Sequence, residues 1–217
     1  MNLIILGPQG SGKGTQAERL AQKFQLEHVD MGKTLREVAK QDTPLGKEIY
    51  NVQNITQTLV SDEVFKEVLA LKLGSLPREQ GLIIDGAPRN LDQARHVEKL
   101  LQQFGRHIDK MIFVNISYEE SVRRVSQRWI CNACQATLIM GKDVFEENKV
   151  CLKCSGSISQ RSDDTSVGIK KRLEVFEKET VPVIEYFRNK NLVVEVDGSQ
   201  SIEKVFEDIV FLISKGD

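Results

Sequence analysis

The first fifteen residues, MNLIILGPQGSGKGT, constrain this chain more than any other stretch. A short apolar run at 3–6 reads as a buried strand. Gly7, Gly10, Gly12 and Gly14 follow with Lys13 among them, and Ala17, Leu20, Ala21 and Phe24 then recur at helical spacing. Strand, glycine-rich loop and helix in this order are the setting that a phosphate-binding loop requires. Glycine lets successive backbone N–H groups turn into one hollow. The helix start adds a partial positive charge and Lys13 a full one. Gly10, Ser11, Gly12, Lys13, Gly14 and Thr15 are the candidate polyphosphate site, with a nucleoside triphosphate as the expected ligand. In a common form of the loop a hydroxyl residue directly follows the lysine; here Gly14 intervenes and the hydroxyl comes one place later, at Thr15.

The rest of the chain repeats the strand-then-helix rhythm. Further apolar runs lie at 82–84, 111–116 and 192–196, with a weaker one at 28–29. Each is short and nearly continuous, as expected of strands covered on both faces. Between them, Leu91, Ala94, Val97, Leu101 and Phe104 form one helical stripe, and Ile202, Val205, Phe206, Ile209 and Ile213 form another. Ser117 and Glu120 have the spacing of a capping box. Alternation of this kind implies an α/β fold: a parallel five-stranded sheet wrapped by helices, with phosphate ligands at the carboxyl ends of its strands. Two stretches break the rhythm. Residues from about 30 to 73 are mainly helical in pattern. Residues 129–162 are rich in Cys, Ser, Asn and Gly and poor in large apolar side chains.

All four cysteines lie in that second stretch: Cys131-x2-Cys134, then sixteen residues, then Cys151-x2-Cys154. Two such knuckles bring four thiolates to the corners of a tetrahedron around zinc. A segment this small cannot build its own core, so metal binding would supply its folding energy. A disulfide pairing suits a reducing compartment less well. Four thiolates close the coordination shell, which makes the expected metal structural.

Composition sets the outer limits. At 217 residues the chain can bury one sizeable core with small insertions, and a net charge of −1 gives no basic field for nucleic acid. No apolar run approaches the ~20 residues of a membrane helix. The sequence begins directly on a strand, so no leader peptide is expected, and a cytoplasmic setting is the default expectation.

The basic residues gather at strand ends and at the borders of the two excursions: Arg36, Arg89, Arg124, Arg128, Arg161 and Arg172. With them the whole chain resembles the nucleoside monophosphate kinases, specifically the adenylate kinases with a long zinc lid. The resemblance rests on the glycine loop, on Gly32 with Leu35-Arg36, and on Leu59-Val60-Ser61-Asp62. It continues through Asp85-Gly86-x-Pro88-Arg89 with Gln93, the four cysteines, Gln160-Arg161-x-Asp163-Asp164, Arg172 and Val196-Asp197-Gly198.

This resemblance implies a phosphate-loop fold in five stretches. Residues 1–29, 61–126 and 165–217 would form the core. Residues 30–60 would be a helical insertion that closes over AMP, and 127–164 a zinc-binding lid that closes over ATP. It implies reversible transfer of the γ-phosphoryl group of MgATP to AMP, giving two ADP, by a monomer without nucleic-acid or membrane partners. Lys13 and the loop amides would hold the ATP phosphates. Arg36 and Arg89 would hold the AMP phosphate, while Arg124, Arg128, Arg161 and Arg172 would surround the transferring group. Met31, Val60, Gly86 and Gln93 would line the AMP site, Gln93 reading the base. Asp85 would orient Mg2+ through water, and Asp163 would orient the lid arginines. Guanidinium forks match phosphate oxygens better than ammonium groups do. The acceptor phosphate is already an anionic nucleophile, so His28, His96 and His107 receive no catalytic role.

Several positions depart from the family pattern: Met31 for Thr, Lys33 for Asp, Gln57 for Gly, Ala87 for Phe, Gln127 for Gly and Trp129 for Arg. Gly168 is expected to interrupt the helix after Asp164. The departures gather on the monophosphate side and at the lid hinge, while the arginines are intact. An acceptor other than AMP (CMP, UMP or GMP) is therefore the alternative within the class. Outside it stand a non-catalytic nucleotide sensor, which the intact arginines oppose, and a zinc-ribbon nucleic-acid binder, which the neutral charge opposes.

Overall fold

The structure is a computed structural model that describes residues 1–52, 60–141, 143–145, 149–160 and 164–215. In chain order its first half runs β1 (Asn2–Leu6), α1 (Lys13–Phe24), β2 (Glu27–Asp30), α2 (Met31–Val38), α3 (Pro44–Asn51), α4 (Asp62–Gly74), β3 (Leu82–Asp85) and α5 (Leu91–Gln103). The second half runs β4 (Lys110–Asn115), α6 (Tyr118–Ser126), β5 (Arg128–Cys131), β6 (Thr137–Ile139), β7 (Ile158–Ser159), α7 (Ser166–Val175), α8 (Val181–Arg188), β8 (Val193–Asp197) and α9 (Ile202–Ser214). A π-helical turn, Phe176–Thr180, joins α7 to α8.

Five strands form one parallel sheet in the order β2-β3-β1-β4-β8. Side chains alternate along each strand, so the sheet feeds two cores. Ile4 and Leu6 of β1, with Ile84, Met111 and Phe113, pack against α4, α5 and α8. Leu3 and Ile5, with Ile83, Ile112 and Val114, pack against Ala17 and Leu20 of α1 and Val205 and Ile209 of α9. Burial on both faces is why β1, β3 and β4 read as unbroken apolar runs. β1 is central, so the loop leaving it opens mid-way along the carboxyl edge, where open parallel sheets bind ligands.

Among the described helices α1 and α8 lack a side-chain cap, and α8 continues directly from the π-helical turn. Side chains of Asp30, Thr43, Ser61, Asn90, Ser117, Thr165 and Ser201 accept N–H bonds at the starts of α2, α3, α4, α5, α6, α7 and α9. α1 has no side-chain cap; its cap residue is Gly12 in the left-handed region, φ 87°. Its first amides are left to the glycine loop, whereas at those seven helices a hydroxyl, carboxylate or amide takes one of them.

Two local expectations change. Gly168 does not interrupt α7 but lies in its first turn, where its N–H bonds Thr165 Oγ1 at 3.1 Å. Glycine costs a helix only its extra backbone entropy, and here its N–H is taken by the cap. At α6 only half the capping box forms: Ser117 Oγ takes the Glu120 N–H, while the Glu120 carboxylate turns to Arg123 and Arg124. Among the described residues no helix is long and apolar enough to cross a membrane.

Candidate active site

The loop after β1 is tightly enclosed. A Cβ at Gly7 would lie 2.4 Å from the Val114 carbonyl oxygen, and one at Gly198 would lie 2.7 Å from Val114 Cγ1 and 3.0 Å from the Ser11 carbonyl oxygen. Gly10 adopts φ 80°, a left-handed setting that favours glycine. Ser121 Oγ donates to the Gln9 carbonyl, which fixes α6 against the loop. Lys13 Nζ folds back over the loop and donates to the Pro8 carbonyl at 3.3 Å. Ser11 Oγ and Gln9 Oε1 are buried there without a hydrogen-bond partner among the described residues.

Acids and a histidine line the neighbouring strand ends. Asp30 and Asp85 are register partners on β2 and β3. Asp85 is buried, and a Cβ at Gly14 would come within 3.2 Å of its Oδ2. His28 Nε2 lies 3.4 Å from the same oxygen. Burial works to lower the pKa of His28, but the carboxylates of Asp85, Asp30 and Glu18 outweigh it and the value is raised.

The arginines fall into two groups. In the first group, a Cβ at Gly32 would sit 3.3 Å from Arg36 Nη1. Arg89 is clamped through its backbone: its N–H donates to Gln93 Oε1 at 2.9 Å, and its carbonyl accepts from Thr180 Oγ1 at 3.0 Å. Its Nε donates to the Gly86 carbonyl at 3.0 Å. Arg89 lies within electrostatic reach of Arg172, Arg36, Asp85 and Asp30, so these groups share one neighbourhood. On the other side, Arg124 donates to the Gly198 carbonyl at 2.9 Å and to Gly10 and Ser199 more weakly, strapping the glycine loop to the turn after β8. Glu120 holds Arg123 and Arg124, and those two guanidinium groups depress its pKa to about 2.

Arg128 and Arg172 meet on a single carboxylate. Arg128 grips Asp164 with two hydrogen bonds, 2.8 and 2.6 Å, and Arg172 adds a third at 2.6 Å. The Asp164 side chain has no exposed surface. Burial works to raise its pKa, but the two arginines outweigh it and the value lies below the usual carboxylate range.

The cysteines close a small module of three antiparallel strands in the order β6-β5-β7. Their four ligand atoms lie within 4.8 Å of one another. Cys131 and Cys154 sulfurs are 3.5 Å apart and those of Cys134 and Cys151 3.7 Å. A disulfide needs about 2.05 Å, whereas the edge of a tetrahedron with bonds of about 2.3 Å is about 3.8 Å. The two knuckles share one backbone shape: Gln135 N–H donates to the Cys131 carbonyl and Ser155 N–H to that of Cys151. Gln135 and Ser155 both adopt positive φ, 60° and 57°. Backbone N–H groups, that of Cys134 first, lower the pKa of Cys131 to about 6. The donor set fits a tetrahedral metal ion with an affinity for sulfur.

A sequence profile described as Adenylate kinase matches residues 5–192. The adenylate kinase of Thermoanaerobacter sp. (strain X514) is 37% identical over 209 residues, covering 96% of each chain. That of Archaeoglobus fulgidus (strain ATCC 49558 / DSM 4304 / JCM 9628 / NBRC 100126 / VC-16) is 36% identical over 215 residues, covering 99% of each. That of Dehalococcoides mccartyi (strain ATCC BAA-2266 / KCTC 15142 / 195) is 38% identical over 215 residues, with the same coverage. The chain belongs to the adenylate kinase family. Membership makes it an enzyme, a nucleotide phosphotransferase, and does not favour the sensor or nucleic-acid readings.

For an adenylate kinase, the placement of the expected residues is informative. Met31 is 2% exposed and its side chain joins the core between sheet and helices, as does that of Ala87. Val60 packs partly buried on the same core. Gln93 is 6% exposed, with its Oε1 on the Arg89 N–H and its Nε2 donating to Asp62 Oδ1 at 2.8 Å. Trp129 packs in the cysteine module with Lys149 Nζ 5.4 Å from its ring centre. Arg161, Asp163 and Gln57 lie outside the described residues.

Sequence reasoning gave Asp164 no role of its own. The available signal was the Asp-Asp pair ahead of α7, which does not say which member turns inward. Replacing Asp164 by Ala would remove the buried carboxylate that Arg128 grips with two hydrogen bonds, a loss of about 3 kcal/mol. Scanning calorimetry should show a melting temperature lower by roughly 6–12 °C for a chain of this size. The pH dependence follows from the depressed pKa. The unfolded state binds the extra proton first, below the ordinary value of 3.8, so stability is lost as pH falls through the folded value. Asp164→Asn should remove this acid-sensitive component.

Proposed function

We propose that this site moves the γ-phosphoryl group of MgATP to AMP, giving two ADP, with the sequence-predicted residues in their expected roles. The observation that carries the reading is an arrangement: the start of α1, left to a glycine loop with Lys13 over it, lies at the same sheet edge as Arg36, Arg89 and Arg172. One anion-binding hollow beside a second cationic cluster suits a donor polyphosphate and an acceptor phosphate together.

The loop amides from Gly10 to Thr15, with Lys13, would hold the β- and γ-phosphates of ATP. Arg36 and Arg89 would hold the phosphate of AMP. An oxygen of that phosphate attacks the γ-phosphorus as the bond to the β-phosphate oxygen breaks, and the electron pair leaves with ADP. The nucleophile is already anionic at neutral pH, so no side chain has to remove a proton. Arg124, Arg128, Arg161 and Arg172 would spread the charge that builds on the transferring oxygens. Asp163 would orient the arginines of the lid. The Mg2+ that accompanies ATP neutralises phosphate charge, and Asp85 beside Gly14 would hold it through water.

The reading assigns 30–60 to closure over AMP and 127–164 to closure over ATP, on a core of 1–29, 61–126 and 165–217. Water is excluded when both close, which limits hydrolysis of ATP. Cys131, Cys134, Cys151 and Cys154 would hold a structural zinc ion. A reducing, cytoplasmic setting and a monomeric state complete it. The test is a coupled assay with MgATP and AMP, GMP, CMP or UMP at equal concentration. The expected result is turnover with AMP well above the other three. Equal or faster turnover with another acceptor would overturn the assignment of AMP.

A further inference from the structure

Gln93 ends in a carboxamide whose two sides are chemically opposite. Its oxygen accepts and its nitrogen donates, and half a turn about the last bond exchanges them. A carboxamide free to turn reads a 6-amino purine in one setting and a 6-oxo purine in the other. Adenine offers a donor at position 6 and an acceptor at position 1, whereas guanine and hypoxanthine offer the reverse. Gln93 by itself therefore does not choose between AMP and GMP or IMP.

The surroundings of Gln93 do not let it turn. Oε1 accepts the Arg89 backbone N–H at 2.9 Å, and Nε2 donates to Asp62 Oδ1 at 2.8 Å. The backbone N–H can only donate, and the carboxylate can only accept. Turning the amide would set N–H against N–H and carbonyl against carboxylate. Asn90 reinforces the arrangement: its Nδ2 donates to the same Asp62 oxygen at 3.2 Å, and its Oδ1 takes the Gln93 backbone N–H at 2.8 Å. At 6% exposure, Gln93 has little water to replace these partners. One amide hydrogen and one oxygen lone pair remain for a ligand.

Resting on the reading that Gln93 faces the acceptor base, we propose that Asp62 is a positioning residue for acceptor choice. Together with the Arg89 N–H it holds the Gln93 carboxamide in the one setting that a 6-amino purine completes, so a 6-oxo purine meets donor with donor and acceptor with acceptor. Discrimination of this kind is strong because the mismatched groups are left buried and unpaired. Asp62 lies on α4 and Gln93 on α5, so the two helices together define the reader.

The test compares wild type, Asp62→Asn and Gln93→Ala with saturating MgATP and either AMP or IMP. Asparagine keeps the shape of Asp62 but offers both a donor and an acceptor, so it lifts one of the two restraints on Gln93 and leaves the Arg89 N–H as the other. In Asp62→Asn the ratio of kcat/KM for AMP over IMP should fall about tenfold or more. The value for IMP should itself rise, while KM for ATP holds. General loosening of the site lowers both acceptors together, and that outcome, or an unchanged ratio, overturns the proposal. Gln93→Ala tells the two levels apart. A ratio that collapses in Gln93→Ala but holds in Asp62→Asn leaves Gln93 as the reader and removes Asp62 from the role. A ratio unchanged in Gln93→Ala overturns the reading on which the proposal rests.

Discussion

Lys13→Ala will lower kcat about a thousandfold while shifting the melting temperature little. The ammonium lies directly over the glycine loop, within 3.3 Å of the Pro8 carbonyl. In the proposed reaction it meets the β- and γ-phosphates, where negative charge moves as the bond to the leaving oxygen breaks. The loop amides bind phosphate in the ground state as well, so their removal affects KM first. A full positive charge close to the migrating charge acts most strongly on the transition state, and its loss falls on kcat. Folding depends on Lys13 far less. The loop is shaped by the positive φ of Gly10 and Gly12 and by packing of Gly7 and Gly198, none of which needs the side chain. A coupled assay across ATP concentrations, paired with a thermal melt, separates the two effects. A fall in kcat of less than tenfold would remove Lys13 from the transferring group.

The parts of this enzyme legible in its sequence are those written in local pattern. β1, β3 and β4 are buried on both faces, and their apolar runs show it directly. β2 read weakly because it is an edge strand, Glu-His-Val-Asp, with only Val29 fully buried. The strands β5 to β7 gave no signal at all. They are two to four residues long, and the pattern that fixes them is the cysteine spacing, not apolar alternation. The same division holds for the site. The glycine loop is contiguous, so its geometry follows from fifteen residues. The Asp164 fork joins β5, the approach to α7 and α7 itself across separations of 36 and 8 residues. The Asp62–Gln93 bond spans 31. Contacts of this kind depend on how elements pack. Family resemblance supplied Gln93, but its partners and the direction of its amide came only with the structure.

In the proposed reading, removing the structural ion, or replacing Cys151 by Ser, will unfold the cysteine module and leave the parallel-sheet core folded. The apolar core of the module is small: Leu138, Val144 and the two buried cysteines, with Trp129, Ala136, Met140 and Ile158 packed around them. Burial at that scale supplies only a few kcal/mol before the chain entropy is counted. A structural zinc site contributes roughly 10–16 kcal/mol of apparent binding energy. In that reading four thiols within 4.8 Å of one another would lose their common partner with the ion. The main sheet draws its stability from separate side-chain clusters, so two transitions should replace one. Trp129 is the only tryptophan of the chain and packs in this module, which makes its fluorescence a local reporter. Chelation should move its emission to longer wavelength while the far-ultraviolet circular dichroism of the core helices persists. Arg128 opens β5, so its hold on Asp164 loosens with the module, and kcat should fall on the order of a hundredfold. Elemental analysis should find one metal ion per chain. A colourless holoprotein marks zinc, whose filled d shell does not absorb visible light, and a coloured one marks iron. A Cys151→Ser chain with native Trp129 emission, an unshifted melt and full turnover would show that the four sulfurs hold no structural ion.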